Sequence, residues 1–186
     1  MTSDSLSTRD DILSRVGDIF YAKGTYLVGM AELVKHLRTT RATFYRYFES
    51  KEALIVVYLE QRDVGVRESL AKIAAGRLGE DPTLAVFSNL EERTQAENFR
   101  GCAFLLAAIE NPHSKEILRA ARNHKIFLKD FFRYLVGGED TLAEQLLLLY
   151  EGALAGSVLR REAAAATTAK SIAAKLLSEW RSLKLS

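Results

Sequence analysis

Apolar residues recur at three- and four-residue intervals along almost the whole of this 186-residue chain, the period of amphipathic helices, and only two prolines interrupt them. Ile12, Leu13, Val16, Ile19 and Phe20 make the first stripe; a Thr8–Asp11 capping box opens it and Lys23-Gly24 closes it. Met30, Leu33, Val34 and Leu37 repeat the pattern over a short second helix, and Thr40 caps a third that runs to about Phe48 with Phe44 and Phe48 inward. Ser50 caps a long helix from Lys51 to about Ala75, with Leu54, Ile55 and Tyr58 inward. At 1.5 Å per residue it spans about 37 Å, enough to join a headpiece to a second lobe. Gly76-Arg77-Leu78-Gly79 is the expected break.

Asp81-Pro82 starts the next helix, to about Glu97, with Leu84, Phe87 and Leu90 inward. An apolar run, Cys102–Glu110, follows Gly101. A helix from Pro112 to about Val136 carries Ile117, Leu118, Ala121, Ile126, Phe127, Phe131 and Leu135, and Gly137-Gly138 ends it. Two last helices, near 139–161 and 163–183, bring the total to about nine, an all-α chain. Residues 1–7 are polar and are expected to be disordered.

The eighth helix differs from the rest. Leu142, Leu146, Leu149, Ala153 and Gly156 line one side, and Leu147, Tyr150, Leu154 and Val158 another. Two apolar sides imply burial on two sides. Either the helix is central within one chain, or it pairs with the ninth as half of a four-helix dimer interface. The second alternative predicts an interface of Leu142, Leu149, Gly152, Gly156, Ile172, Leu176 and Trp180, with Gly152-x-x-x-Gly156 allowing close approach.

Helices two and three, joined by a tight turn at Arg38-Thr39, read as a helix-turn-helix. Between Lys35 and Lys51 stand five basic residues (Lys35, Arg38, Arg41, Arg46, Lys51) against one acidic (Glu49), a local charge of +4 in a chain whose net charge is only +2. That is where a phosphate backbone requires it. With Phe44 inward, a helical wheel turns Ala42, Thr43, Tyr45 and Arg46 outward. Ala42 permits contact with a thymine methyl, and Arg41 or Arg46 offers a fork to guanine. The expected DNA-facing set is Thr40, Arg41, Ala42, Thr43, Tyr45, Arg46, Tyr47 and Lys51. Tyr45, Tyr47 and Lys51 are assigned to phosphates, and Arg41, Ala42 and Thr43 to base edges. A plain solvated basic helix is the alternative, which the aromatic residues count against.

The run Thr43-Phe44-Tyr45-Arg46-Tyr47-Phe48-Glu49-Ser50-Lys51-Glu52-Ala53-Leu54 resembles the T-[LF]-Y-x-[HY]-F-x-S-K-E-x-L signature that closes the DNA-binding headpiece of the tetracycline-repressor (TetR) family. Phe20-Tyr21-Ala22-Lys23-Gly24 fits upstream. The resemblance is specific over about residues 9–54 and elsewhere extends to helical layout, with Phe99-Arg100-Gly101-Cys102 similar to one branch. Two departures stand out: Val28-Gly29 where the family usually caps its second helix with Ser or Thr, and Arg38-Thr39 where it usually has Gly-Val. The resemblance implies a DNA-binding domain over 1–50 and a ligand-binding and dimerisation domain over 51–186. It also implies a homodimer, double-stranded operator DNA as partner, and a small-molecule effector. Tyr58, Phe87, Phe99, Cys102, Phe104, His124, Phe127 and Phe131 fall on helices that can surround the implied pocket, and serve equally well as plain core.

Other chemistry is poorly supported. Glu110-Asn-Pro-His113 has the E-x-x-H spacing of di-iron helices, but it occurs once and Pro112 breaks its helix. His113, His124 and Cys102 include no closely spaced pair for zinc. Cys102 reads as a small core thiol rather than a sensor, and a single cysteine excludes an intrachain disulfide and suits a reducing cytosol. No hydrolytic triad or phosphate loop appears, so neither an enzyme nor a cofactor is expected, and the uncharged apolar run 102–109 is too short to span a bilayer. The expectation is a cytoplasmic, homodimeric, ligand-responsive transcription regulator, a repressor on a near-palindromic operator. The alternative is a helical small-molecule-binding protein whose headpiece no longer binds DNA, raised by Arg38 in the turn.

Overall fold

The computed structural model describes residues 8–76, 81–160 and 163–185. Residues 1–7, expected to be disordered, and 77–79 of the expected break lie outside them. Among the described residues there are nine helices and no strand: α1 (Arg9–Lys23), α2 (Met30–His36), α3 (Arg41–Tyr47), α4 (Lys51–Gly76), α5 (Pro82–Thr94), α6 (Ala103–Glu110), α7 (Lys115–Leu135), α8 (Asp140–Arg160) and α9 (Ala164–Leu185). The caps stand where the side chains called for them. Thr8 and Asp11 form a reciprocal capping box, the Thr40 hydroxyl accepts from the Thr43 amide, and Asp81 accepts from the Thr83 and Leu84 amides with Pro82 in the first turn.

Two compact units form, and neither follows a cut at residue 50. One runs to Val64 and adds Ala103–Arg122; the other comprises Gly65–Cys102 and Asn123–Ser186. In the first, all five residues of the predicted α1 stripe are buried, as are Leu33, Leu37, Phe44 and Phe48. Phe20 meets Tyr58 edge-on at 5.6 Å between ring centroids, and Phe44 meets Phe48 at the same separation.

In the second unit α5, α8 and α9 pack together around Phe87, Leu90, Leu146, Tyr150, Ala169 and Ala173. Phe87, Phe132 and Tyr150 form a ring cluster with centroids about 6 Å apart, and Arg93 reaches the Tyr150 hydroxyl at 3.3 Å. By length and composition α8 is apolar enough to cross a membrane, but Leu142, Leu146, Tyr150 and Ala153 are buried within this bundle, which marks a core helix.

One helix start shifts. α7 begins at Lys115 rather than Pro112, because Asn111–Ser114 form a turn and the Ser114 hydroxyl caps the Ile117 amide. Its buried series is Ile117, Ala121, His124, Leu128, Phe132 and Val136. Ile126, among the apolar residues expected on this helix, is 59% exposed because it lies on the far side of that stripe.

Candidate nucleic-acid interface

α3 is short and cantilevered on Phe44 and Phe48, leaving Arg41, Ala42, Tyr45 and Arg46 exposed. Tyr45 is 53% exposed although its ring packs edge-on against Phe44 at 5.3 Å. The Arg46 guanidinium lies over the Tyr47 ring at 4.8 Å and donates to its hydroxyl at 2.9 Å, which holds the two side chains as one flat unit. Arg9 from α1 stacks on Phe48 at 5.6 Å, adding a cation beside the recognition helix.

Thr43 requires a correction. The wheel turned it outward, yet it is 6% exposed. Helical side chains lean toward the N-terminus, so Thr43 tucks back onto the cap, where its hydroxyl accepts from Thr40 Oγ1 at 3.1 Å. It shapes the start of α3 and is not placed to face a base edge.

The turn before α3 is tightly specified. The Thr39 amide donates to the Val34 carbonyl at 3.1 Å and the Arg38 amide to the Lys35 carbonyl at 3.2 Å, the pair of bonds that defines a Schellman ending for α2. Arg38 takes φ +52°, and it is the one non-glycine residue with positive φ among those described. Arg15 of α1 braces the turn, its guanidinium donating to the Leu37 carbonyl at 3.3 Å. A Lys23–Glu32 ion pair ties α1 to α2.

Lys51 stands at the start of α4, half-buried, and donates to the Tyr26 carbonyl at 3.0 Å. Burial pushes its pKa down and the Glu110 carboxylate pulls it partly back. Behind it lies a contact that the sequence did not disclose. Glu110, at the end of α6, accepts from the Thr25 amide, from the Thr25 hydroxyl at 2.7 Å and from the Tyr26 amide at 3.1 Å. Asn111 donates to the same hydroxyl at 2.8 Å. Gly24 makes this approach possible, since a Cβ there would lie 2.4 Å from Glu110 Oε1. The E-x-x-H spacing is thus a coincidence of sequence: Glu110 clamps the α1–α2 loop, while His113 is exposed. Among the described residues no group of three or more His, Cys, Asp or Glu is placed to hold a metal ion.

The residues assigned to a pocket do not form one set. Tyr58 and Phe104 belong to the first unit, and Phe87, Phe99, Cys102, His124, Phe127 and Phe131 to the second. Phe87 is core. Tyr58 lines a cavity of about 10 Å³ with Phe20, Gly24, Thr25, Ala107 and Glu110, room for little more than a water molecule. Phe127 and Phe131 are half-buried, their centroids 6.0 Å apart, with the Arg67 guanidinium 3.8 Å above Phe127.

The residues assigned to a dimer interface divide as well. Leu142 is buried within its own chain, and Leu149, Leu176 and Trp180 pack against the core of the second unit. Gly156 admits α9 of the same chain, because a Cβ there would meet Ala165 Cβ at 2.9 Å. Gly152 and Ile172 are exposed. On α8, Leu148, Gly152, Ala155 and Leu159 are exposed at helical spacing, Leu148 at 59% and Leu159 at 84%.

Residues 12–57 match the family model described as "Bacterial regulatory proteins, tetR family". A TetR-family transcriptional regulator from Streptomyces coelicolor superimposes with a TM-score of 0.84 at 29% identity, over 92% of this chain and 94% of that one. The chain is similar to the tetR family over its helix-turn-helix headpiece and in its fold. Among its curated relatives, an uncharacterised HTH-type transcriptional regulator of Mycobacterium tuberculosis is 42% identical over 67 residues, 35% of this chain and 33% of the relative. The HTH-type transcriptional repressor NemR of Escherichia coli is 27% identical over 117 residues, 61% of this chain and 59% of NemR. The chain therefore spans between a third and three-fifths of the length of these relatives. The solved NemR structure shares the fold, with a TM-score of 0.81 at 21% identity.

Proposed function

We propose that this chain is a tetR-family transcriptional repressor that binds a near-palindromic operator as a homodimer and is released by a small-molecule effector. The exposed, basic, aromatic face of α3, presented by an intact helix-turn-helix, supports this most directly. In such motifs the N-terminal residues of the second helix enter the major groove. Arg41 and Ala42 stand there and are assigned to base edges; Tyr45, Arg46, Tyr47 and Lys51 are assigned to the flanking phosphates, and Thr40 to the cap that aims them. Repression is drawn from the name of the NemR relative. A headpiece that no longer binds DNA is the weaker alternative, because Arg38 takes the backbone conformation that the turn demands.

For the dimer, the exposed strip on α8 retains Gly152 and adds Leu148, Ala155 and Leu159, with Ile172 retained on α9. For the effector, Phe127 and Phe131 beneath Arg67 are the aromatic pair at which to look first. The deciding experiment is binding of the purified protein to fragments upstream of its own gene, with footprinting. A protected near-palindrome supports the proposal, and absence of any sequence-selective protection across the neighbouring promoters refutes it.

A further inference from the structure

The chain ends two helices with the same backbone device and fills its critical position differently. After α7, the Gly138 amide donates to the Arg133 carbonyl at 2.8 Å and the Gly137 amide to the Tyr134 carbonyl at 3.2 Å, with Gly137 at φ +68°. After α2 the same two bonds place Arg38 at φ +52°. Glycine is favoured at this position because a Cβ crowds the following carbonyl in the left-handed region. The chain thus uses glycine where only a helix ending is needed, and arginine at the turn of the helix-turn-helix.

Relaxation cannot remove the crowding, because the turn is held by both Schellman bonds and by Arg15 on the Leu37 carbonyl. Non-glycine residues held in this region concentrate at functional positions, where the side chain is needed despite the backbone cost. Arg38 is exposed and is one of the five cations between Lys35 and Lys51. Three residues of chain place its Cα at most about 11 Å from that of Arg41. A major groove is about 12 Å wide, so when Arg41 enters the groove, Arg38 lies near enough for its long side chain to reach the phosphates that line it.

We propose that Arg38 is a DNA phosphate contact delivered by the turn itself, a positioning contact additional to those of α3. It rests on the DNA-binding reading above. Because phosphate contacts carry no sequence information, the test needs no operator.

The probe is a mixed-sequence duplex of about 30 base pairs, titrated by fluorescence anisotropy between about 50 and 200 mM NaCl, alongside thermal denaturation of each protein. Arg38→Gly should melt roughly 2–4 °C higher, because the backbone cost is gone. It should bind the duplex five- to tenfold more weakly near 0.1 M salt, with the slope of log K against log salt shallower by about 0.9. Arg38→Asn, which tolerates the left-handed region but carries no charge, should show the same loss of slope, and Arg38→Lys should keep the wild-type slope. Wild-type slopes in both Arg38→Gly and Arg38→Asn overturn the proposal while leaving DNA binding intact. A wild-type protein with no salt-dependent binding overturns the DNA-binding reading, and the proposal with it.

Discussion

Glu110 is the residue on which the headpiece loop depends most, and Glu110→Ala measures by how much. Three donors converge on one carboxylate oxygen: the Thr25 amide, the Thr25 hydroxyl and the Tyr26 amide. Tyr26 is exposed, so water replaces its bond at little cost, whereas Thr25 is 3% exposed and its amide loses a charge-assisted partner in a dry place. The Thr25 hydroxyl keeps Asn111. Counting the two Thr25 bonds at about 1.5–3 kcal/mol each, with part of the second recovered through Asn111, gives a cost of roughly 2–4 kcal/mol. For a chain of this size that lowers the melting temperature by roughly 5–15 °C. Hydrogen exchange supplies the local readout: the Thr25 amide should lose protection while amides in α8 and α9 keep theirs. Gly24→Ala should cause a similar loss by displacing the carboxylate, and the double variant should cost less than the sum because both remove one contact. A melting temperature within one degree of wild type, with Thr25 exchange unchanged, would refute the clamp.

Arg41→Ala should relax preference at one base pair of the operator, costing about 1–3 kcal/mol if it pairs with guanine, whereas Lys51→Ala should weaken all sequences alike; competition binding with mutated fragments separates the two. Leu148→Glu or Leu159→Glu should yield monomers by sedimentation at micromolar concentration with helicity retained. Gly156→Leu should instead destabilise each chain by about 1–3 kcal/mol, by forcing α9 away from α8, as read by chemical denaturation. Thr8→Ala should cost about 1 kcal/mol at neutral pH through loss of the α1 cap. Thr8 also holds the Asp11 carboxyl below its usual pKa of 3.8 by hydrogen bonds to the ionised form. That contribution is complete above the usual value and fades as pH falls through the lowered one; the Thr8 amide supplies the larger share and survives in Thr8→Ala, so only the hydroxyl's share of the difference from wild type should shrink in acid.

Helix caps were the most legible features of the chain, because a cap is local. Thr8, Thr40 and Asp81 each accept from an amide within three residues. Pro82 marked a helix start correctly where Pro112 did not, because Ser114, two residues beyond Pro112, offers the better cap. Period alone placed the α1 stripe, but on α7 apolar spacing did not separate the buried side of His124, Leu128 and Phe132 from the half-buried Phe127 and Phe131. Thr43 was misjudged because a wheel gives the angle about the axis but not the lean of a side chain toward its cap. Glu110 lies 85 residues from Thr25, and nothing in either neighbourhood announces the other. Gly156 looked like an interface residue because a close helix crossing leaves the same trace within a chain as between two.

The packing of α5 against α8 and α9 has a consequence in time. Phe87 and Leu90 are covered by helices that begin at Asp140 and Ala164, so α5 is made long before its partners exist. From Thr94 to Ala164 are 70 residues, roughly 4–14 s of synthesis at 5–20 residues per second. During that interval the apolar side of α5 has only later-made surfaces to bury against, and a ribosome pausing in the α6–α7 region prolongs its exposure. The first unit closes sooner, because its last segment ends at Arg122, before α8 begins. Nascent chains stalled just before α9 should therefore recruit chaperones through the α5 segment, while their N-terminal helices already resist proteolysis.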